Sequence, residues 1–118
     1  MFSSEQKRAL LALARAALST HFEQQRLQMP SDVAFEAKLG VFVSLHEGEE
    51  LRGCIGYIQG YKSLSASVVE MAKAAAFRDP RFAPVEKREL ESIDIEISVL
   101  SELIPLGAGE EPVIGRDG

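Results

Sequence analysis

The sequence has no tryptophan, one cysteine and only two histidines. The single cysteine, Cys54, excludes an internal disulfide. One cysteine and two widely spaced histidines do not have the paired-ligand spacing of zinc sites. We therefore expect neither a metal nor a cofactor. No stretch approaches the ~20 apolar residues that span a bilayer, and Arg8 and Arg15 interrupt the apolar N-terminal segment. We therefore expect neither a membrane span nor a signal peptide, and the expected compartment is the cytoplasm.

Basic residues are too few for a broad surface that binds nucleic acid. Thirteen Lys and Arg stand against eighteen Asp and Glu, a net charge of −5, whereas nucleic-acid binders neutralise many phosphates. The 118 residues, 46% hydrophobic and 26% charged, match an ordinary soluble domain in length and composition. Composition therefore predicts one domain over residues 1–118 and argues against nucleic-acid binding.

Two segments have the period of amphipathic helices. The first is predicted from about Ser4 to about Leu27, with Ser3 and Gln6 in the spacing of a capping box. The second follows Ser63, a predicted N-cap, and ends before Pro80. Its apolar stripe is Leu64, Val68, Met71 and Ala75.

Residues 40–58 alternate with a period of two and predict a β-hairpin. Face matching favours a three-residue loop at 47–49, with Gly48 or a neighbour in a left-handed conformation. One face then carries Val41, Val43, Leu45, Leu51, Gly53 and Ile55. In this register Cys54 lies opposite Phe42 and about 13 Å along the strand from His46, which argues against a Cys-His dyad.

The run of residues 93–100 alternates most cleanly and predicts a third strand, with the isoleucines on one face and Asp94 and Glu96 on the other. Two helices packed with an antiparallel hairpin and a further strand predict an α+β fold. Residues 105–118, rich in glycine and proline, predict a loop that enters another strand at Val113–Ile114.

Gly53 and Gly56 lie inside a predicted strand, where glycine has no side chain to pack and orders the backbone poorly. Glycine is favoured at such positions when another group approaches the backbone closely. A ligand, another backbone or a bulge would supply the reason. Arg52 is either ion-paired, for example with Asp94 or Glu96, or an anion clamp for a carboxylate or phosphate. Cys54 is either a small buried side chain or a functional thiol.

The segment from Asp79 to Phe82 has two interpretations. It either simply ends the second helix, or the side chains of Asp79 and Arg81 form the wall of a polar site. Glu96 and Asp94 share a strand face, which is more often simply solvated but alternatively forms a carboxylate pair.

Three blocks occur in order: LRGCIG at 51–56, AAAFRDPRFAPV at 74–85 and IDIEISVL at 93–100. In sequence and spacing they resemble the AMMECR family, whose prokaryotic members are called AmmeMemoRadiSam system protein A. The resemblance implies an α+β fold of two joined subdomains, with the glycine-cysteine motif lining a cleft. It implies Memo-type and radical SAM proteins as partners, but no established activity.

Family members continue past the position of Gly118, so the resemblance implies a domain that is incomplete at its C-terminus. Apolar faces of the remaining strands would then be exposed. We expect a dimer partner or a complementary C-terminal fragment to cover them, or the domain to be unstable.

Two functions remain open on the sequence. The first is an enzyme for a small anionic substrate, in which Arg52 orients the anion and Cys54 attacks as the nucleophile. Gly53 and Gly56 would give access to the backbone, and the residues proposed to bind substrate or transfer protons are Asp79, Arg81, Asp94 and Glu96. The alternative is a non-catalytic module that binds a ligand or another protein with the same motif.

Overall fold

A three-stranded antiparallel sheet carries two helices on one face in the computed structural model, which describes residues 2–100. In chain order the elements are α1 (Ser4–Glu23), β1 (Gly40–Glu47), β2 (Glu50–Tyr57), α2 (Leu64–Phe77) and β3 (Ile93–Leu100). Short 3-10 helices at Val33–Glu36 and Lys87–Ser92 precede β1 and β3. The strand order is β2-β1-β3, and the predicted α+β class is confirmed.

Helix α1 begins as predicted and ends earlier than predicted. The Ser3 hydroxyl accepts from the N–H of Gln6, whose side chain accepts in return from the N–H of Ser3. The helix stops at Glu23 rather than near Leu27, because Gln24 adopts a left-handed conformation (φ 57°). Its N–H donates to the carbonyl oxygen of Thr20 (2.8 Å) and closes the last turn.

Helix α2 starts at the predicted cap, where the Ser63 hydroxyl accepts from the N–H of Ala66. The predicted apolar stripe is buried. After the helix the chain folds back, since the N–H of Val85 donates to the carbonyl oxygen of Ala76 (2.8 Å). Neither α1 nor α2 has the length and apolar character needed to cross a bilayer.

The hairpin turn is shorter than predicted. Only Gly48 and Glu49 separate the two strands, and Gly48 has the expected left-handed conformation (φ 63°). Without a bulge, a two-residue turn would place apolar Leu45 opposite charged Arg52. A β-bulge removes that conflict, since Leu45 pairs with Gly53 while Arg52 is left as the extra residue.

The bulge also changes two predicted neighbours. Cys54 lies opposite Ser44 rather than opposite Phe42. Leu51 pairs with His46 and so leaves the face on which it was predicted.

The sheet has one buried face and one partly exposed face. Val41, Val43 and Leu45 are completely buried against the helices. The other face, which we call the open face, turns away from α1 and α2. Its residues are Phe42, Ser44, His46, Leu51, Cys54, Gly56, Asp94, Glu96 and Ser98. The predicted strand at Val113–Ile114 lies outside the described residues.

Candidate functional site

Gly53 is required by the packing of α2 on the sheet. A Cβ atom at this position would collide with the backbone carbonyl of Ala75 in α2. The group that approaches the backbone of Gly53 is therefore the backbone of α2, as expected for a glycine inside a strand.

Gly56 faces an aromatic ring across the hairpin. It pairs with Phe42, and a Cβ atom here would overlap the Phe42 ring and the carbonyl oxygen of Val41. The protein's own atoms therefore occupy the space beside both glycines of the motif.

Arg52 is bonded within the chain through all three guanidinium nitrogens. Nε and Nη2 donate to the two carboxylate oxygens of Glu89 (2.8 and 3.1 Å). Nη1 donates to the carbonyl oxygen of Ala83 (2.8 Å), and Nη2 also reaches that of Pro84 (3.3 Å). Its partner is thus Glu89, with Glu47 at 4.0 Å, rather than Asp94 or Glu96.

The Arg52–Glu89 pair is largely shielded from solvent, with side chains 16% and 18% exposed. The two-point hydrogen bonding lowers the pKa of Glu89 and raises the pKa of Arg52. A charged pair in this geometry holds the loop after α2 against β2.

Asp79 and Arg81 bind the backbone of Cys54. Asp79 Oδ2 accepts from the N–H of Cys54 (3.1 Å), and Arg81 Nη2 donates to its carbonyl oxygen (3.1 Å). Cys54 lies on β2, an outer strand of the sheet, so these two side chains provide the hydrogen bonds that a further strand would otherwise make.

Asp79 itself is held by several donors. Its side chain is 1% exposed, and its carboxylate accepts from the Arg81 side chain at 2.8 and 3.1 Å and from the Arg81 N–H at 3.0 Å. These bonds, together with that from Cys54, lower the pKa of Asp79 to about 2 against the opposing effect of burial. Asp79 therefore stays ionised at neutral pH.

We call the residues Arg52, Cys54, Asp79, Arg81 and Glu89 the strand–loop contact. In it an arginine of the strand binds backbone carbonyls of the loop, and an arginine of the loop binds a backbone carbonyl of the strand. Sequence reasoning selected four of these residues and missed Glu89, for which no local pattern gives a signal.

The Cys54 thiol lies on the open face, half-buried, with Sγ 3.1 Å from the Ser44 hydroxyl oxygen. Ser44 also pairs with Glu96 on β3. A thiol, a hydroxyl and an exposed carboxylate therefore lie in one row across the three strands.

His46 lies nearer to this row than predicted. Because Cys54 is opposite Ser44, His46 is offset by two residues, about 7 Å along β1 rather than about 13 Å. It pairs with Asp94 on β3 and Leu51 on β2. Within residues 2–100, no three His, Cys, Asp or Glu side chains come together as metal ligands would.

Comparisons with known proteins agree on one family. A sequence model of the AMMECR1 family matches residues 11–118. A protein of Methanothermobacter thermautotrophicus is 42% identical over 107 residues, covering 88% of this chain and 56% of that protein. A protein of Methanosarcina barkeri is 35% identical over 122 residues, covering 98% of this chain and 60% of the relative.

The fold also matches a solved structure. The crystal structure of the uncharacterized protein PH0010 from Pyrococcus horikoshii superimposes with a TM-score of 0.68 at 33% identity, covering 76% of this chain and 48% of that one. This chain thus spans about half the length of the relatives that it matches.

Proposed function

This chain belongs to the AMMECR1 family, and we propose that it is a non-catalytic binding module that contacts a partner through the open face of its sheet. The main observation behind the proposal is that the Arg52 side chain is hydrogen-bonded to other groups of the same chain. Each of its guanidinium nitrogens already donates within the chain, so the group best suited to orient a small anion serves to hold the fold.

The remaining parts of the motif support the same reading. Gly53 and Gly56 are matched to Ala75 and Phe42, so no substrate is needed to explain them. Asp79 and Arg81 bond to each other and to the backbone of β2. The motif accordingly shapes β2 and presents the open face.

The open face has the composition of a contact surface. Half-buried Phe42 and Leu51 lie among the uncharged polar groups of Ser44 and Cys54. Glu96, exposed on β3, adds a carboxylate at the rim. Apolar side chains surrounded by polar groups are typical of a protein-binding surface.

The partners to test are the Memo-type and radical SAM proteins that the family resemblance implies. Binding of each purified protein to this chain is measured by isothermal titration calorimetry. Glu96→Arg should weaken binding about tenfold or more, because it reverses a charge on the open face. Cys54→Ser should leave the affinity within about twofold, because no covalent step is involved.

The matched control is Glu23→Arg, the same charge reversal at an exposed position that ends α1 on the other side of the sheet. It should leave binding unchanged. If neither protein binds, or if Glu23→Arg weakens binding as much as Glu96→Arg, the proposal fails.

An enzyme acting on a small anionic substrate is the second candidate function. The half-buried Cys54 thiol on the open face, 3.1 Å from the Ser44 hydroxyl, favours it. Two alkylating reagents of similar size separate the two functions: iodoacetate is an anion, whereas iodoacetamide is neutral. If Arg52 or Arg81 orients an anion toward the thiol, iodoacetate should modify Cys54 faster than iodoacetamide, relative to their rates with glutathione.

A binding module predicts no such preference for the anion, because both arginines are already bonded to carboxylates. The modified residue is identified by mass spectrometry of the intact and digested protein. A preference of about tenfold for iodoacetate would favour the enzyme.

A further inference from the structure

The two outer strands of the sheet are protected differently. The edge of β2 has side-chain partners from the strand–loop contact at Cys54. Within residues 2–100, no strand pairs with the outer edge of β3. A side chain protects this edge only at its first residue, where Arg15 of α1 donates to the carbonyl oxygen of Ile93 (2.6 Å). Among the described residues, the seven of β3 that follow Ile93 have no such partner at their outer edge. An unprotected edge of this kind is a template for pairing with another strand.

An apolar groove lies beside this edge, between β3 and α1. Its cavity volume is about 470 Å³. The residues that line it are Phe2, Lys7, Leu10, Leu11, Ile95, Glu96, Ile97 and Val99. Most are apolar, and the two charged residues are of opposite sign. Leu11 is 38% exposed, and the inward-facing side chains of β3 beyond Ile93 are only partly buried.

We propose that a second copy of this chain pairs with β3, in an antiparallel arrangement with twofold symmetry. Two such sheets would join into one of six strands, with the helices of both copies on the same side. The two grooves would meet beneath the new strand pair, and side chains of one copy would cover the apolar groove of the other.

Two antiparallel copies of β3 form compatible residue pairs in one register in particular. Centred on Ile97, the pairing places Ile95 opposite Val99 of the second copy, on the side of the grooves. On the open face it places Glu96 opposite Ser98 of the second copy. No like charges are directly opposed in this register.

Neighbouring registers are worse. A pairing centred on Glu96 opposes two carboxylates directly, and one centred on Ile95 opposes Asp94 and Glu96 twice, which destabilises a strand pair. A shift by a single residue opposes apolar and polar faces of β3. Two registers with matched faces pair seven residues of β3, and only the one centred on Ile97, over residues 94–100, opposes no like charges directly.

The first test is the concentration dependence of both mass and hydrogen exchange. Analytical ultracentrifugation of the 118-residue chain, from about 1 µM to about 1 mM, should show a monomer–dimer equilibrium. Hydrogen exchange of the β3 amides, measured over the same range, should slow as the dimer forms. The amides of α2, which lie away from the proposed interface, should exchange at a rate that changes less.

A pair of opposite substitutions tests the register. Ser98→Glu brings a carboxylate opposite Glu96 of the second copy at two equivalent places, and should raise the dimer dissociation constant about tenfold. Ser98→Arg places a guanidinium there instead, and should lower the constant by a similar factor. Within one chain Ser98 pairs with uncharged Phe42, and circular dichroism of dilute samples checks that both variants stay folded.

Three results would overturn the proposal. One is a chain that sediments as a monomer throughout the range. Another is a dimer whose dissociation constant does not move in opposite directions in the two Ser98 variants. The third is protection of the β3 amides that is independent of concentration, because the edge would then be covered within a single chain.

Discussion

The Arg81 guanidinium donates a hydrogen bond to the backbone carbonyl oxygen of Cys54, 3.1 Å away. The neighbouring Asp79 accepts from the N–H of the same residue. A loop therefore protects the edge of β2 with two side chains instead of a strand. Since Arg52 in turn donates to carbonyl oxygens of that loop, the strand motif and the loop motif form one structural unit.

Replacing Arg52 with lysine should destabilise the protein by about 2 kcal/mol, measured by urea denaturation. An ammonium group cannot reproduce the planar two-point contact with Glu89 and also reach the loop carbonyls. The matched control is Arg88→Lys, at an arginine that is 83% exposed and paired with an exposed Glu86. That change should leave the denaturation midpoint nearly unaltered. Equal effects of the two substitutions would contradict a structural use of Arg52.

Replacing Gly53 with alanine should cost about 1–3 kcal/mol in the free energy of unfolding, because the new methyl group meets the Ala75 backbone. Thermal and urea denaturation of the protein alone measure the effect. Glu50→Ala, at an exposed position of the same strand, is the control and should change stability little. A Gly53→Ala protein as stable as the parent would mean that the glycine serves a ligand rather than α2.

The strand–loop contact should make the free energy of unfolding depend on pH in the acidic range. The pKa of Asp79 falls from its ordinary 3.8 to about 2 in the folded protein. The stabilisation is therefore complete above about pH 4 and is lost as the pH falls toward about 2. Its size is at most about 2 kcal/mol, because Arg81 is partly exposed and solvent screens the pair.

Unfolding free energies between about pH 5 and about pH 2 should consequently fall less steeply for Asp79→Asn than for the parent protein. Asp94→Asn removes an exposed carboxylate from β3 and serves as the control. A parent-like slope in Asp79→Asn would argue that the pKa of Asp79 is not lowered by folding.

Two serines four residues apart, the N-cap of α2 and a residue within the helix, should respond in opposite directions to substitution by alanine. The Ser67 hydroxyl is fully buried and has no hydrogen-bond partner among the described residues. Ser67→Ala should raise the free energy of unfolding by about 1 kcal/mol, since it removes an unsatisfied polar group. Ser63→Ala should lower it by about 1 kcal/mol, because the N-cap bond to Ala66 is lost. Denaturation curves of both variants test the contrast, and a destabilised Ser67→Ala would reveal a partner for that hydroxyl.

Local sequence patterns predicted most of the secondary structure correctly. The alternation of residues 93–100 predicted β3 with its correct faces, and the caps at Ser3 and Ser63 predicted where both helices begin. These features depend on neighbours within a few residues. The end of α1 was predicted less well, because Gln24 stops the helix through a left-handed backbone that glutamine does not signal.

The hairpin shows where a local pattern stops being sufficient. Face alternation placed Gly53 and Ile55 correctly on the face of Val43 and Leu45, yet the partner of each residue, including Cys54, depended on the bulge at Arg52. A bulge adds one residue to one strand, so it shifts every pairing on the side away from the turn by one residue. The proximity of His46 to Cys54 was underestimated for this reason.

The amino-acid sequence by itself determined the family, the α+β class, the two amphipathic helices and the alternation of the strands, because each depends on residue order along a short segment. Only the tertiary structure decided why Gly53 is a glycine and which carboxylate Arg52 meets. Glu89 is 37 residues from Arg52, and α2 reaches Gly53 through the packing of a helix on a sheet. Such contacts depend on the path of the whole chain in three dimensions, where several acids of equal charge compete for one arginine and only geometry selects among them.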